Sequence, residues 1–317
     1  MTAVAVPAAA SRSRVGMSDV QRLRARLDAL MALDDQLGGH AALETAALAG
    51  ARMARQLQQL PATDRVRRAL FSVAADYTAT AAWSCIDARE GTRAQQHLDR
   101  ALALAGLAQD STAQLRLWNS HAMLAYQRTD YTTAVAAGHA AHACAVTRTD
   151  PLTASLAHAR TAIGHAAAGS RQAALRSLGH AGEALTRAHT QPRPSWLAFY
   201  GPAELAAITA ITHQHLGQHD IAEWAAHRAL AGIPEQFRRN RASATVRLAL
   251  AQLHQGDTEQ ACATATGAYT LVGTDPIPAR LRTLLGDFHR SLLTLAPRSA
   301  QTRQWTDRVI SERTRPQ

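Results

Sequence analysis

Apolar residues recur at helical spacing from the start of the ordered pattern near residue 18. Val20, Leu23, Leu27 and Leu30 lie three or four positions apart and form one apolar stripe. Such a stripe predicts an amphipathic helix, and Ser18 suits its N-terminal cap.

Glycine and proline divide the first 90 residues into three predicted helices. The glycine pair at 38–39 ends the first of them. A second helix is expected over residues 41–60, and a third over residues 64–88 with Asp64 as its cap.

Beyond residue 80 a fixed spacing of alanines recurs along the chain, and we call this spacing the alanine frame. An alanine is followed by another twelve positions later and by a third seven positions after that, in five copies separated by 40, 40, 48 and 39 residues. Small side chains are needed where two helix backbones approach closely. The frame therefore predicts five repeated units, each made of a first helix, a short turn and a second helix. The alanines are Ala82, Ala94, Ala101; Ala122, Ala134, Ala141; Ala162, Ala174, Ala181; Ala210, Ala222, Ala229; and Ala249, Ala261, Ala268.

Turn signals agree with the frame. Gly169, Gly217 and Gly256 each lie five residues before the middle alanine of their unit, where a left-handed helix end is expected. The Asp-Pro dipeptides at 150–151 and 275–276 combine an N-cap acid with a first-turn proline and predict helix starts.

The predicted fold is therefore all-α: an α-solenoid of tetratricopeptide-like helix pairs, with about 13–14 helices and a period near 40 residues. Residues 1–17 are predicted to be a flexible tail, and residues 18–317 one helical-repeat domain. Within that domain we expect N-terminal helices over 18–60, repeats over 61–276 and capping helices over 277–317.

Two units resemble tetratricopeptide repeats most clearly. Residues 210–234 combine small residues with a Leu-Gly turn and a terminal proline, and residues 249–268 combine them with a Gln-Gly-Asp turn. Their period is near 40 rather than about 34 residues, and most large aromatics of the first helix are missing. We therefore expect longer, divergent versions of that repeat.

One interval of the frame is 48 residues long instead of 40. The surplus falls in residues 190–202, which contain three prolines and three aromatic residues in a chain that is only 4% aromatic. Two interpretations stay open: the insertion lines a binding site, or it is an ordered plug between two units.

Composition excludes several functional classes. The net charge is +10, but all 34 basic residues are arginine and they are spread along the chain, so we do not expect direct DNA binding. The sequence contains no run of 18 apolar residues, so it does not predict a membrane-spanning helix. Cys85, Cys144 and Cys262 lie far apart and are expected to be free thiols, which favours a cytoplasmic protein.

Motifs for catalysis or cofactor binding are missing from the sequence. It contains no Gly-rich phosphate loop, no His-Glu-x-x-His, no Cys-x-x-Cys and no Gly-x-Ser-x-Gly. His139 and His142 share a helix face and could meet a metal, but no other cluster supplies further ligands at a recognisable spacing. We expect no enzyme activity, no cofactor and no metal.

A recognition surface is the better-supported type of site. In helical-repeat proteins the first helices of successive units line the concave face, where polar residues among small ones can contact a ligand. Each candidate could instead be a solvated or interhelical hydrogen-bonding residue. The candidate ligand-binding residues are Asp76, Tyr77, Arg116, Asn119, Tyr126, Arg160, Trp196, Tyr200, Glu204, Asn240 and Arg247.

Five stretches carry a wider resemblance: residues 14–20, 74–83, 200–205, 237–241 and 284–289. They resemble the C-terminal helical-repeat region of Xre-type helix-turn-helix transcriptional regulators from high-GC bacteria. In that family a DNA-binding domain precedes the region, which is thought to sense a signal or to mediate dimerisation. About seventeen residues precede the repeats here, too few for such a domain. We expect either that the chain begins at an internal start or that it is a stand-alone regulatory protein of that ancestry. By resemblance it is a sensor or interaction module without its own DNA reader.

Three hypotheses about function follow. The first is a regulatory module that senses a peptide or a small molecule or binds a protein partner, with a homodimer among the expected assemblies. The second is a structural adaptor without a ligand. The third, an enzyme that uses the solenoid groove, is disfavoured because no paired acid–base motif is present.

Overall fold

The computed structural model describes residues 14–37, 41–189, 193–273 and 277–314. In these ranges the chain forms fourteen α-helices and two short 3-10 helices and contains no strand, which confirms the all-α prediction. The helices are α1 (Met17–Leu37), α2 (Ala41–Gln58), α3 (Asp64–Asp87), α4 (Gly91–Ala108), α5 (Ser111–Gln127), α6 (Tyr131–Ala143), α7 (Pro151–Ala167), α8 (Arg171–Thr186), α9 (Pro202–His215), α10 (His219–Gly232), α11 (Arg238–His254), α12 (Thr258–Val272), α13 (Ala279–Leu295) and α14 (Ala300–Thr314).

The helices from α3 to α12 pack as five successive pairs. Within each pair the two helices are in contact, and the first helix of each pair also contacts the first helix of the next. All fifteen alanines of the frame lie in these pairs, and none is more than 3% exposed. The frame thus marks buried helix contacts, as its small side chains predicted.

The five turns inside the pairs share one backbone conformation. The residue five positions before the middle alanine has a positive φ in every unit: 64° at Arg89, 60° at Thr129, 75° at Gly169, 70° at Gly217 and 92° at Gly256. The left-handed conformation predicted for the three glycines is confirmed. Two units reach the same conformation with residues that carry a side chain.

Replacing Thr129 by glycine is expected to raise the free energy of unfolding by about 1 kcal/mol. A left-handed conformation costs a residue with a Cβ roughly 1–2 kcal/mol, and glycine avoids most of that cost. Urea unfolding followed by circular dichroism measures the change.

Thr132→Gly is the matched control because Thr132 is exposed and lies in the helical backbone of α6. Glycine there should lower the free energy of unfolding by about 0.5–1 kcal/mol. Destabilisation of similar size by both substitutions would contradict strain at Thr129.

Most predicted boundaries lie within a few residues of the observed ones, with two corrections. Ser18 is not the N-cap of α1, because that helix already begins at Met17. The N-cap of α3 is Thr63 and not Asp64, because the Thr63 hydroxyl accepts the Val66 N–H at 3.3 Å. Asp150 caps α7 by accepting the Leu152 N–H at 2.9 Å, as predicted. The glycine pair at 38–39 and the dipeptide at 275–276 lie outside the described residues.

Separate apolar clusters close the two ends of the array. At the C-terminal end the ring of Phe288 is fully buried and meets Trp305 of α14 edge-on, with ring centroids 4.9 Å apart. At the other end Val20 and Leu70 are fully buried among α1, α2 and α3. None of the helices in the described ranges is both long and apolar enough to cross a membrane.

Candidate ligand-binding cavity

A cavity of about 700 Å³ lies between the first helices of the pairs. Residues of α3, α5, α7, α9, α11 and α13 form most of its wall, and the 3-10 helix Ser195–Leu197 contributes one side. The volume is typical of small-molecule sites, which range from about 300 to 1,000 Å³.

The first and last parts of the array meet across this cavity. Asp87, at the end of α3, is 2% exposed and accepts a hydrogen bond of 2.8 Å from Arg239 Nη1 of α11. Arg280 Nε of α13 lies 3.1 Å from the second Asp87 oxygen, and its guanidinium lies over the Trp83 ring at 5.5 Å. We call Asp87, Arg239 and Arg280 the Asp87 clasp. Because it joins positions 152 residues apart, it ties α3 to the C-terminal helices around the cavity.

The insertion between α8 and α9 combines two roles. Leu197 and Tyr200 are each 1% exposed, and the Tyr200 hydroxyl lies 2.8 Å from the Ser155 hydroxyl of α7. Trp196 and Phe199 instead line the cavity. One part of the segment is thus an ordered plug, and another part forms the wall of the cavity.

Positive charge dominates the cavity wall. Seven arginines line it against two carboxylates, those of Glu204 and Asp287. Even when Asp76 and Asp87 behind the wall are included, the described part of this region has three more arginines than carboxylates. The arginines are Arg89, Arg116, Arg160, Arg239, Arg247, Arg280 and Arg290.

Several of these arginines are held by protein acceptors. Arg116 Nη1 lies 3.0 Å from Asp76 Oδ1. Arg160 Nε donates to Asn119 Oδ1 at 2.9 Å, and its Nη2 lies 3.9 Å from Glu204 Oε1. Burial raises the pKa of Glu204 above its ordinary value even though three arginines lie nearby, so its carboxylate compensates them weakly.

Arg247 differs from these arginines. Among the described residues it has no carboxylate within 4.0 Å, and its hydrogen-bonding neighbour is the Tyr126 hydroxyl. That hydroxyl also lies 2.8 Å from His215 Nε2. Burial, with Arg247 nearby, lowers the pKa of His215 to about 4, so the imidazole is neutral at pH 7 and adds no charge. Burial lowers the pKa of Arg247 too, as expected for a cation that its surroundings compensate poorly.

Two polar side-chain atoms at the wall have no hydrogen-bond partner among the described residues. Gln127 Nε2 and His219 Nδ1 are buried and have no hydrogen-bond partner in the described part of the chain. An unsatisfied buried polar group costs about 1–3 kcal/mol, so a bound molecule with complementary groups gains by pairing with them.

No protein-family model matches this chain, and no curated protein matches it either.

The structure brings most of the sequence-predicted candidates to this single cavity. Asp76 does not line it but supports Arg116 from behind. Tyr77 and Tyr200 are buried in the packing between helices, where the Tyr77 hydroxyl donates to the Leu23 carbonyl at 2.9 Å. The candidates at the wall are Arg116, Asn119, Tyr126, Arg160, Trp196, Glu204, Asn240 and Arg247.

Sequence reasoning missed the Asp87 clasp. Arg239 belongs to a run of arginines that is visible in the sequence, but no spacing relates it to Asp87 or Arg280. Only the packing of α3, α11 and α13 makes these three residues neighbours.

A second cavity, of about 250 Å³, is lined by five histidines: His139 and His142 of α6, His158 and His165 of α7, and His180 of α8. The ring centroids of His142 and His158 lie 4.3 Å apart, and those of His158 and His180 lie 5.4 Å apart. Burial, reinforced by the neighbouring histidines, lowers the pKa of His158 to about 4. The sequence pointed to the two histidines of α6, and packing adds the other three.

Proposed function

We propose that this chain is a ligand-sensing regulatory module that binds a small anionic molecule with an apolar or aromatic body in the 700 Å³ cavity. The observation that carries the proposal is Arg247, a guanidinium at the cavity wall without a carboxylate partner in the described residues. An anion bound beside Arg247 would supply the close negative partner that the described residues do not.

The chemistry of the wall favours this class of ligand. A guanidinium presents paired N–H donors that match a carboxylate or a phosphate, and the interaction strengthens where water is excluded. Trp83, Tyr126, Trp196 and Phe199 add aromatic surface that would cover an apolar body.

The arrangement of the helices supports a repeat scaffold around this site. We propose that the five pairs form an α-solenoid of divergent tetratricopeptide-like units, because their alanines, turn conformations and contacts recur in each unit. In such a scaffold the first helices line the inner face, which is where the cavity lies.

The position of the cavity suggests how binding would regulate. Trp83 of α3 and Arg280 of α13 both line it. Arg280 belongs to the Asp87 clasp, and its guanidinium lies over the Trp83 ring. A ligand that touches both sides would favour the arrangement in which the Asp87 clasp is formed, provided that it binds this arrangement more tightly than one without the clasp. This agrees with the resemblance to the sensor regions of Xre-type regulators, and we propose that the readout is a protein contact rather than direct DNA binding.

A fluorescence titration with 8-anilinonaphthalene-1-sulfonate, an aromatic anion, tests the proposal. We expect saturable binding to the full chain, and we expect Arg247→Gln to weaken it by about tenfold to a hundredfold because a desolvated charge partner is lost. The neutral probe N-phenyl-1-naphthylamine should bind the two proteins similarly.

Arg171→Gln is the control, since Arg171 is an exposed arginine on α8 and does not line the cavity. It should leave the affinity for the anionic probe unchanged. Unchanged affinity in Arg247→Gln, or equal losses in both variants, would refute an anion site at Arg247. Thermal-shift screening of carboxylates and phosphates would then narrow the natural ligand, because a molecule that binds the native state raises its Tm.

A further inference from the structure

Three potential metal ligands from three different helices meet at the N-terminal end of the array. The ligand atoms of Glu44 of α2, Cys85 of α3 and His97 of α4 all lie within 4.8 Å of one another. Glu44 is 6% exposed, Cys85 is 2% exposed, and the side chain of His97 is 15% exposed. The cluster is separate from the wall of the 700 Å³ cavity.

Glu44 is the centre of the cluster. Its Oε1 lies 2.8 Å from His97 Nε2, its Oε2 forms an ion pair with Arg93, and the Cys85 thiol donates a hydrogen bond to it. Burial alone would raise the pKa of Glu44, but the hydrogen bonds and the charge of Arg93 outweigh it and hold the pKa below its ordinary value. The cluster therefore contains a buried carboxylate that is ionised at neutral pH.

The arrangement does not suit a cysteine nucleophile. A catalytic thiol needs a base or a positive charge that stabilises its thiolate. Here the carboxylate of Glu44 is the neighbour of the thiol, and burial together with that negative charge raises the pKa of Cys85 to about 12.

We propose that Glu44, Cys85 and His97 bind a zinc ion. Zinc takes a thiolate sulfur, an imidazole nitrogen and a carboxylate oxygen in tetrahedral geometry, with ligand distances of about 2.0–2.3 Å that place the ligand atoms about 3–4 Å apart. The observed separations, none of which is above 4.8 Å, are close to this spacing. A water molecule from solvent would complete the four ligands.

The charges balance without any other reactant. The S–H bond of Cys85 breaks, its proton passes to solvent, and a zinc–sulfur bond forms. Thiolate and carboxylate then neutralise the zinc charge, with a neutral imidazole as the third ligand. Arg93 has a side chain that is 51% exposed, so it can turn to solvent or stay as an outer hydrogen-bond donor to Glu44.

Such a site would join α2, α3 and α4. It would fix the N-terminal helices to the first repeat pair and stabilise the native state, since zinc bound only by the folded chain raises its stability.

Cobalt titration of the full chain, freed of metal with EDTA and dialysed, tests the site. Cobalt(II) replaces zinc and reports a bound thiolate by a charge-transfer band in the near ultraviolet. We expect this band to saturate at one cobalt ion per chain and to vanish when zinc is added. Cobalt bound by the five histidines of the second cavity would give no thiolate band.

Cys85→Ser should abolish the band, whereas the matched variants Cys144→Ser and Cys262→Ser should keep it. His97→Gln, at a less buried position, should retain a thiolate band but require more than about tenfold more cobalt. The absence of a thiolate band in the unaltered protein, or its persistence in Cys85→Ser, would overturn the proposal. If Cys85→Ser does not fold, an unchanged cobalt affinity in His97→Gln overturns it equally.

Discussion

Replacing Asp87 by asparagine is expected to lower the free energy of unfolding by about 3 kcal/mol. Asp87 is 2% exposed and pairs with Arg239 and Arg280, whose side chains are 18% and 29% exposed. The substitution keeps the shape of the side chain but removes the buried negative charge that faces both guanidinium groups. Removing one member of a buried ion pair typically costs about 3–5 kcal/mol, and the partial exposure of these arginines places the expected value at the lower end.

Asp99→Asn is the matched control, because the Asp99 side chain is 63% exposed and its contact with His121 measures 3.9 Å. It should change the free energy of unfolding by less than about 0.5 kcal/mol. Chemical denaturation measures the free energy of unfolding of both variants.

Asp87→Asn should also loosen the closure of the cavity, which small-angle X-ray scattering would detect as a larger radius of gyration. If Asp87→Asn and Asp99→Asn had the same stability and the same radius of gyration, the Asp87 clasp would contribute nothing to closure.

Acidification from pH 7 to pH 4 is expected to destabilise the folded chain by several kcal/mol. Burial lowers the pKa of His158 and of His215 to about 4, and it lowers the pKa of His121, His165, His219 and His254 as well. In the unfolded chain these groups titrate near about 6.5. The unfolded state therefore binds more protons than the folded state between about pH 6.5 and pH 4, so stability is complete above that window and falls within it.

His158 should contribute strongly to this loss of stability at low pH, because cationic or titratable side chains surround it. His139 and His142 of α6 and His180 of α8 act on it, and Arg176 of α8 lines the same cavity. A proton on His158 would meet these groups in a partly buried space. After allowance for partial exposure, we expect a contribution on the order of 1–2 kcal/mol from this residue.

The measurement is urea unfolding at a series of pH values between 7 and 4, with His158→Gln and His227→Gln compared. His227 lies on α10 with a side chain that is 60% exposed, so its replacement should leave the pH dependence unchanged. His158→Gln should reduce the loss of stability. An identical pH profile in the two variants would show that the five-histidine cavity does not govern acid stability.

The sequence by itself determined the local architecture. The alanine frame located the five helix pairs, and the glycines at 169, 217 and 256 located their left-handed turns. These features depend on residues a few positions apart, because helix periodicity, caps and turns are local properties of the backbone. Asp64 is not the cap of α3, because the neighbouring Thr63 also carries a side-chain oxygen that can accept a first-turn N–H and it occupies the cap position.

Only the tertiary structure decided which side chains share a space. Tyr126 and His215 are 89 positions apart, Asp87 and Arg239 are 152 apart, and Glu44 meets His97 across α2 and α4. Their proximity depends on how the helices pack in space, which no local spacing encodes. The sequence could therefore identify Arg247 as a candidate polar residue on the first helix of a unit. Its lack of a carboxylate partner among the described residues became visible only when α5, α11 and α13 were placed together around one cavity.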